Sequence, residues 1–553
     1  MFAPKIIIVT GGVCSSLGKG IATASIGAIL KSCGLRVFVQ KLDPYLNVDP
    51  GTMNPSQHGE VFVTDDGAET DLDLGHYERF IGEPMSKLST MTTGKIYSEI
   101  IAKERKGDFL GGTIQIIPHI TDAIKFTIMN AAKKSECDIM MVEVGGTVGD
   151  IEGEPFLEAV RQLKTDIGGN RLYHIHLTLL PYLEGPQELK TKPTQLSVRE
   201  LRRIGLQPDM ILARADQSIP NTLLDKISKF CGVPRASVIP AETLSSIYDV
   251  PIYLHKYNIA GIIGTQLDLT LNPKMDMWIE GAERHRNAIE TISIAIVGKY
   301  MDLEDSYISI IEAVKAAAIH QGKKVHIRMV DSEKLDVESD TWNKKDFWES
   351  IAVLRYCQGI IIAGGFGSRG VEGKIFATKY ARKNNIPFLG ICLGCQVLAI
   401  EYARHVLNDN DITSEEITST NPNKNIIHFL PNQDETKNKG GTLRLGKYEC
   451  ILKEGTNTRN LYDSTKIWER HRHRYEFNNK YRQIMTDNGM TIAGECITGI
   501  ESLVEILELD THPFMIGVQF HPEFKSRPHR PHPLFTGLIT AAGKHVPPPE
   551  DTI

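Results

Sequence analysis

The feature that most constrains this chain is a β-branched run followed directly by a glycine-rich loop. Residues 6–10 are IIIVT and residues 11–20 are GGVCSSLGKG, before a segment rich in alanine and isoleucine. A strand, a glycine-rich loop and a helix N-terminus together form an anion site, because backbone N–H groups and the helix dipole point at phosphate. Lys19 would reach the terminal phosphate oxygens. The pattern predicts a nucleotide-binding α/β domain; the alternative is a glycine-rich turn without a ligand.

This loop departs from the usual phosphate-binding pattern at two positions. Val13 stands where the first glycine belongs, and Gly20 replaces the Ser or Thr that would hold Mg²⁺. The ion then needs carboxylates from elsewhere, because Mg²⁺ prefers oxygen ligands. Asp71 and Asp73 in TDLDL are candidates, as is Glu143 at the end of an apolar run. The alternative for each is a strand cap or a solvated carboxylate.

A second β-branched run predicts a second α/β domain. Residues 292–299 are ISIAIVGK, and the polar stretch before them has no strand pattern. Apolar strand-like runs alternate with helical patterns in both halves, which favours mostly parallel sheets with helices on both faces. We expect a first domain at 1–272, a linker at 273–291, a second domain at 292–545 and a tail at 546–553.

Composition limits the partners of the chain. Apolar residues make up 41% and charged residues 24% of the 553 residues, which is typical of a soluble globular protein. The net charge of −6 gives no overall attraction to nucleic acid or to an anionic membrane. Neither a signal peptide nor a membrane-spanning run is evident. Nine dispersed cysteines indicate reduced thiols, so we expect a cytoplasmic protein.

The second half contains the spacing of a nucleophile elbow. An apolar run at 388–391 leads into Cys392, with Gly390 and Gly394 on either side. Small flanking residues permit the sharp strand-to-helix turn that exposes a nucleophile. At such a turn the helix N-terminus favours a thiolate, and the next backbone N–H can stabilise an oxyanion. This spacing predicts a catalytic cysteine at Cys392.

A base for this nucleophile is found far downstream. His521 and Glu523 lie two residues apart in VQFHPEF, which suits a base and the group that orients it. Gly365 follows another strand-like run and could supply a second oxyanion N–H. Together these residues resemble the class I glutamine amidotransferase family. A zinc or redox half-site at Cys392 and Cys395 is the alternative, but the sequence has no second CxxC.

The first half resembles the amidoligase domain of the CTP synthase family, and the resemblance runs almost end to end. Its segments are GGVCSSLGKG at 11–20, KLDPYLNVDPGT at 41–52, QHGEV at 57–61, GAETDLDLGHYERF at 67–80, EVGGTVGDIE at 143–152 and KTKPTQ at 190–195.

The resemblance implies residue roles in the first half. It implies that Asp73 and Glu143 hold Mg²⁺. The implied ATP contacts are Ser16, Leu17, Gly18, Lys19, Gly20, Ile21, Lys41, Asp73, Glu242, Thr243 and Leu244. The implied contacts of UTP, or of inhibitory CTP, are Ser15, Asp150, Ile151, Glu152, Lys190, Thr191, Lys192, Pro193, Thr194, Gln195 and Lys226. The alternative for the lysines is a solvated surface.

The resemblance also implies roles in the second half. Cys392 would be the nucleophile, His521 the base and Glu523 the group that orients the base. The implied contacts of the substrate glutamine are Gly365, Leu393, Gly394, Cys395, Gln396, Glu416 and Arg474.

The implied activity joins the two halves. ATP would phosphorylate the 4-oxygen of UTP, and ammonia from glutamine would displace the phosphate to give CTP. Family members have an ammonia passage near QHGEV, so His58 and Val61 could line it. The family further implies GTP as an activator, with 440–446 as a lid segment, and a homotetramer that sometimes forms filaments. The alternatives are another amidotransferase, such as a cobyrinic acid amidase, or a non-catalytic filament scaffold.

One position departs from the family pattern. Cys395 stands where relatives more often have Met, so a second thiol lies near Cys392. One hypothesis is a reversible disulfide that switches the glutaminase off under peroxide. The alternative is a small buried residue that fills the space of the Met, since a free cysteine is usually buried and inert.

Overall fold

The computed structural model describes residues 4–340, 342–417, 421–430, 433, 440–498 and 501–548. The chain forms two compact units: one comprises Met1–Pro50 with Asp73–Ala282, and the other comprises Gly51–Leu72 with Glu283–Ile553. The segment 51–72 therefore belongs to the second unit, although it lies in sequence between two parts of the first. Residues 549–553 of the expected tail lie outside the described residues.

The β-strands alternate with helices along both units, as the sequence predicts. In chain order they are β1 (Lys5–Gly12), β2 (Val37–Asp43), β3 (Phe62–Val63), β4 (Glu69–Thr70), β5 (Thr90–Thr92), β6 (Ile139–Val144), β7 (Leu172–Leu179), β8 (Tyr182–Leu183), β9 (Glu188–Leu189), β10 (Met210–Ala215), β11 (Val238–Glu242), β12 (Glu290–Gly298), β13 (Lys323–Asp331), β14 (Gly359–Ile362), β15 (Phe388–Ile391), β16 (Thr413–Ser414), β17 (Asn425–Phe429), β18 (Arg444–Leu452), β19 (Lys466–His473), β20 (Tyr475–Phe477), β21 (Met490–Thr498), β22 (Glu501–Leu509) and β23 (Met515–Val518).

The α-helices are α1 (Lys19–Ser32), α2 (Pro55–His58), α3 (Asp73–Ile81), α4 (Thr93–Lys106), α5 (Thr121–Lys134), α6 (Glu154–Ile167), α7 (Lys192–Ile204), α8 (Asn221–Cys231), α9 (Val250–Lys256), α10 (Ile259–Leu267), α11 (Asp276–Asn287), α12 (Ile308–His320), α13 (Lys344–Tyr356), α14 (Val371–Lys383), α15 (Leu393–Leu407), α16 (Asn457–Tyr462), α17 (Arg482–Asp487) and α18 (Pro533–Ala542). Helix α11 lies within the stretch that the sequence predicts as a linker. Among the described residues, no helix is both long and apolar enough to cross a membrane.

The first unit is built on a parallel sheet with the strand order β11-β10-β7-β1-β6-β2-β5. Its central strand β1 is buried along Ile6–Val9, as expected for a parallel strand covered on both faces. Ile6 and Ile8 pack with α5 and α6 on one face, and α1 packs against β2 and β6. All strands of a parallel sheet end at the same edge, so β1, β2 and β6 place their following loops together.

The second unit contains a larger sheet with the order β13-β12-β14-β15-β23-β22-β21-β18-β19. The pairs from β13 to β23 are parallel, whereas those from β23 to β19 are antiparallel. The parallel part carries the elbow after β15. Two hydrophobic clusters cover the sheet, one including residues of α14 and α15 and the other residues of α12 and α18. The predicted α/β class is confirmed for both units, with an antiparallel extension that the alternation of runs does not indicate.

Candidate active sites

The phosphate loop of the first unit connects β1 to α1. Lys19 is the first residue of α1, and its Nζ donates to the carbonyl oxygen of Gly146, 2.7 Å away in the loop after β6. Burial lowers the pKa of Lys19 below its ordinary value. The side chain is therefore held across the carboxyl edge of the sheet, where the loops after β1 and β6 meet.

A carboxylate takes the place of the missing loop hydroxyl. A Cβ on Gly20 would lie 1.8 Å from Oδ1 of Asp73, the first residue of α3. Ser or Thr at position 20 would overlap this carboxylate, which explains the glycine. Asp73 lies where the usual pattern has a metal-binding hydroxyl.

The carboxylates of Asp73 and Glu143 converge on one ammonium. Lys41, at the end of β2, forms an ion pair with Asp73, and its Nζ lies 3.4 Å from Oε1 of Glu143. The hydroxyl of Tyr77 donates to Oε2 of Glu143 over 2.7 Å. Glu143 is 1% exposed and Asp73 is half-buried, so water reaches this group of charges only from the side of Asp73. Asp71, the other carboxylate of TDLDL, belongs to the second unit and lies near Asp305.

The other predicted nucleotide contacts lie on several loops and helices and at one strand end of the first unit. Glu242 ends β11, and its Oε1 accepts from the backbone N of Ile219 at 2.9 Å. Lys190 forms an ion pair with Glu188. The predicted residues that are exposed are Ser15, Ser16, Gly18, Asp150, Ile151, Glu152, Lys192, Lys226 and Thr243. Those that are buried or half-buried are Leu17, Ile21, Lys190, Thr191, Pro193, Thr194, Gln195, Glu242 and Leu244.

The predicted elbow has strained backbone geometry. Cys392 follows β15 and caps α15 with φ 54° and ψ −103°, a conformation that costs free energy in a non-glycine residue. A Cβ on Gly390 would lie 2.5 Å from the carbonyl oxygen of Gly394, and one on Gly394 would lie 2.2 Å from that of Ile362. Both glycines are needed because the backbone passes too close for any side chain.

The predicted base lies beside the nucleophile. Nδ1 of His521 lies 2.7 Å from Oε1 of Glu523, and both side chains are largely buried. Burial alone would lower the pKa of His521, but Glu523 and the Cys392 sulfur raise it to about 10. The imidazole therefore carries a proton at neutral pH, and the carboxylate of Glu523 holds the ring in place. This arrangement can transfer a proton to and from a reacting group beside Cys392.

The three residues open into a cavity of about 800 Å³ within the second unit. Residues of the 51–72 segment, including Val61, form part of its wall, whereas His58 of α2 is exposed. Three predicted glutamine contacts, Gly365, Glu416 and Arg474, also line it. Oε1 of Glu416 accepts from the backbone N of Gly367 at 2.7 Å, and burial raises the pKa of Glu416. The cavity thus offers a cation and an anion beside the nucleophile.

The residues after the nucleophile are all buried. Leu393 and Cys395 pack in the cluster on the α14 and α15 face of the sheet, whereas Cys392 belongs to the cluster on the other face. Burial raises the pKa of the Cys395 thiol. Cys395 is therefore a neutral buried thiol, which favours packing over the disulfide switch. Nε2 of Gln396 donates to the carbonyl oxygen of Tyr475 at 3.2 Å.

Histidines that could suggest other sites are packed. His471 and His473 are buried, and Nη1 of Arg444 lies 3.2 and 3.3 Å from their ring nitrogens. Burial lowers the pKa of both. His174 and His176 share the hydroxyl of Thr10, each at 2.8 Å.

Comparison with known proteins identifies both halves of the chain. Residues 5–269 match the family described as the CTP synthase N-terminus, and residues 302–541 match class-I glutamine amidotransferases. A CTP synthase of Dehalococcoides mccartyi is 53% identical over 543 residues, which are 98% of this chain and 97% of that protein. This chain belongs to the CTP synthase family. The predicted resemblance is confirmed, and the cobyrinic acid amidase alternative is not favoured.

Other CTP synthases match over a similar length. That of Carboxydothermus hydrogenoformans is 52% identical over 541 residues, 98% of this chain and 99% of that protein. Over 46% of its length the chain also resembles a solved structure, the glutaminase domain of Trypanosoma brucei CTPS with bound acivicin. That domain is 33% identical and covered to 96%, with a TM-score of 0.42.

Three residues near the nucleophile elbow are not predicted by any sequence motif. Lys299 and Lys374 are buried lysines whose amines donate to backbone carbonyls beside Cys392. Gln519 lies two residues before His521 and is 3% exposed. The sequence marks Lys299 only by its place directly after the apolar run of β12, and the other two positions need the tertiary structure.

Proposed function

We propose that this chain catalyses the ATP-dependent amination of UTP to CTP, with ammonia from glutamine. The observation that carries the proposal is that His521 bonds to Glu523 and lies beside the elbow cysteine inside one cavity. We assign glutamine hydrolysis to the second unit and nucleotide chemistry to the first.

In the glutaminase, the sulfur of Cys392 attacks the side-chain amide carbon of glutamine. The carbonyl π electrons move to the oxygen, and the backbone N–H groups of Gly365 and Leu393 stabilise that oxyanion. His521 gives its proton to the departing nitrogen, which leaves as ammonia when the C–N bond breaks. Water then attacks the thioester, His521 takes the proton of that water, and glutamate leaves as the C–S bond breaks.

The charges in the cavity suit the free amino-acid end of glutamine. The guanidinium of Arg474 would pair with the α-carboxylate, and Glu416 would pair with the α-ammonium. Leu393, Gly394, Cys395 and Gln396 would shape the pocket at the elbow. This pairing would exclude substrates that lack both α-groups.

In the first unit, Lys19 and Lys41 would neutralise the charge on the phosphoryl group that passes from ATP to the 4-oxygen of UTP. Phosphorylation makes that oxygen a leaving group, which ammonia then displaces. Asp73 and Glu143 fit Mg²⁺, because two carboxylates already converge on one cation there. Bound Mg²⁺ would supply further neutralisation of phosphate charge.

We propose that the remaining predicted positions contact the nucleotides. Glu242, Thr243 and Leu244 would lie near the adenine. The pyrimidine site would comprise Ser15, residues 150–152, residues 190–195 and Lys226, and would also bind CTP as a feedback inhibitor. GTP activation, a cytoplasmic homotetramer and filaments belong to the same proposal.

The test is an assay of the purified chain with UTP, ATP, Mg²⁺ and either glutamine or ammonia, followed by separation of the nucleotides. We expect CTP with either nitrogen source and none when UTP or ATP is omitted. Absence of CTP with both nitrogen sources would refute the proposal and would favour a scaffold. If the chain hydrolyses glutamine but transfers the ammonia to an acceptor other than UTP, a different amidotransferase activity is favoured.

A further inference from the structure

A lysine that the mechanism does not use is completely buried beside the nucleophile. Lys374, on α14, is 0% exposed and is among the largest fully buried side chains of the chain. Its Nζ donates to the carbonyl oxygens of Ala363 at 2.6 Å and Gly364 at 3.1 Å. Burial of a lysine amine costs free energy, so its retention here requires a reason.

In its neutral form, the amine of Lys374 has as many N–H donors as it has carbonyl acceptors. Burial lowers the pKa of Lys374 well below its ordinary value, and the nearby Lys299 lowers it further. A neutral amine has two N–H donors, and Lys374 has two carbonyl acceptors. The side chain can therefore satisfy both carbonyls without a buried charge.

These hydrogen bonds fix the orientation of one peptide group. In the trans peptide between Gly364 and Gly365, the C=O and the N–H point in opposite directions. Because the C=O points to Lys374, the N–H of Gly365 points away from it. The nucleophile lies close to this turn, since a Cβ on Gly364 would be 3.3 Å from Cε1 of His521 and 3.6 Å from Cβ of Cys392.

A second lysine holds the other end of the same turn. Nζ of Lys299, after β12, donates to the carbonyl oxygens of Phe366, at 3.1 Å, and Gly367. Lys299 is 3% exposed, and Glu416 accepts the N–H of Gly367. Two lysines from outside the turn thus hold its carbonyl groups at 363, 364, 366 and 367.

We propose that Lys374 is a positioning residue that locks the Gly364–Gly365 peptide with its N–H turned toward the amide oxygen of glutamine, and that Lys299 secures the turn. The inference rests on the proposed glutaminase activity. Without the lock, this glycine-rich peptide can rotate and withdraw a donor from the oxyanion. Loss of one oxyanion donor lowers kcat by roughly 10²–10³-fold in enzymes of this kind.

The test compares Lys374→Met with Lys379→Met, which changes an exposed lysine on the same helix. Three rates are measured: glutamine hydrolysis, ammonia-dependent CTP synthesis, and alkylation of Cys392 by iodoacetamide. Alkylation displaces iodide at a saturated carbon and forms no oxyanion. We expect Lys374→Met to lower kcat for glutamine roughly a hundredfold, with little change in KM, in alkylation or in ammonia-dependent synthesis. Lys379→Met should match the wild type in all three.

Each other outcome has a distinct meaning. Normal glutamine hydrolysis in Lys374→Met overturns the lock, and equal losses of hydrolysis and alkylation show that Lys374 only supports the elbow. If Lys374→Met does not fold, Lys299→Met decides: a normal kcat for glutamine there overturns the proposal, and the same separation of hydrolysis from alkylation supports it. If the wild type does not hydrolyse glutamine, the proposed function fails, whatever the variants do.

Discussion

The side-chain amide of Gln519 donates to the sulfur of Cys392, with Nε2 and Sγ 3.8 Å apart. Oε1 of Gln519 in turn accepts from Nε2 of Gln396 at 3.1 Å. The second contact fixes which end of the Gln519 amide faces the sulfur. The sulfur of the nucleophile therefore has a neutral donor whose orientation Gln396 fixes.

We expect Gln519→Leu to slow both glutamine hydrolysis and the alkylation of Cys392 by iodoacetamide. A hydrogen bond to a charged group contributes roughly 1.5–3 kcal/mol, so both rates should fall about tenfold to a hundredfold. Stopped-flow alkylation and ammonia release give the two rates. Ammonia-dependent CTP synthesis is the control and should not change. An alkylation rate equal to that of the wild type would show that Gln519 does not affect the reactivity of the Cys392 sulfur.

The two activities should separate at Cys392. Cys392→Ala should abolish CTP synthesis from glutamine, because no thioester can form, while synthesis from ammonia survives. Measurements with each nitrogen source under saturating UTP and ATP check this. Cys450→Ala is a matched control, since Cys450 is a buried thiol of the same unit outside the cavity lining. Loss of both activities in a folded Cys392→Ala protein would contradict a two-site enzyme.

The pH dependence of the glutaminase should follow His521. Because Glu523 and the sulfur raise the pKa of His521 from 6.5 to about 10, the imidazolium that protonates the leaving ammonia persists to high pH. Glutamine hydrolysis should therefore fall as the pH rises through about 10. Glu523→Gln removes the carboxylate charge, so the fall should occur at lower pH. An NMR titration of His521 measures the shift directly.

The same raised pKa has a defined effect on stability. The attraction of Glu523 and the sulfur for the protonated His521 stabilises the fold fully below about pH 6.5. This contribution is lost progressively as the pH rises through about 10 and the imidazole loses its proton. Urea unfolding of the wild type and of Glu523→Gln at several pH values tests it. The difference in unfolding free energy between the two should shrink above pH 10, and a difference that grows there would contradict the assignment.

The phosphate loop should not tolerate the residue that most such loops contain. Gly20→Ser would place its Cβ on the carboxylate of Asp73, so Asp73 must move away from Lys41. We expect loss of CTP synthesis from both nitrogen sources, with cysteine alkylation unchanged. Gly169→Ser is the control, because a Cβ there meets no atom within 4 Å. Near-normal synthesis in Gly20→Ser would mean that the position of Asp73 is not needed for phosphoryl transfer.

The sequence predicts those parts of the sites that depend on local backbone. The loop before Lys19 and the elbow at Cys392 each connect a strand to a helix through a glycine-rich turn. A few consecutive residues therefore determine the backbone geometry of each. The partners of Lys374 are backbone carbonyls, which leave no signal in residue types. The antiparallel pairing of β21 with β22 likewise depends on contacts between strands rather than on the alternation that predicts parallel units.

The membership of the 51–72 segment in the second unit also depends on contacts between distant parts of the chain. Its residues follow β2 closely, so proximity in sequence places them in the first domain. Long-range contacts decide otherwise: Oγ of Ser309 donates to Oε2 of Glu60 over 2.5 Å, and Nε of Arg470 donates to Oδ1 of Asp65 over 2.6 Å. These pairs are more than 240 positions apart, beyond the reach of any local pattern.

The position of residues 51–72, between two parts of the first unit in sequence, limits how the gene could be divided. A fragment that starts at residue 283 would lack Asp65 and Glu69, the carboxylates paired with Arg470 and Arg472. Arg470 is 1% exposed, and a buried cation that loses its counter-ion destabilises a fold strongly. A recombination event at the boundary between the two family matches would therefore yield a glutaminase in which Arg470 and Arg472 lack these counter-ions. The second unit is interrupted in sequence by parts of the first, so no single cut in the gene separates the two.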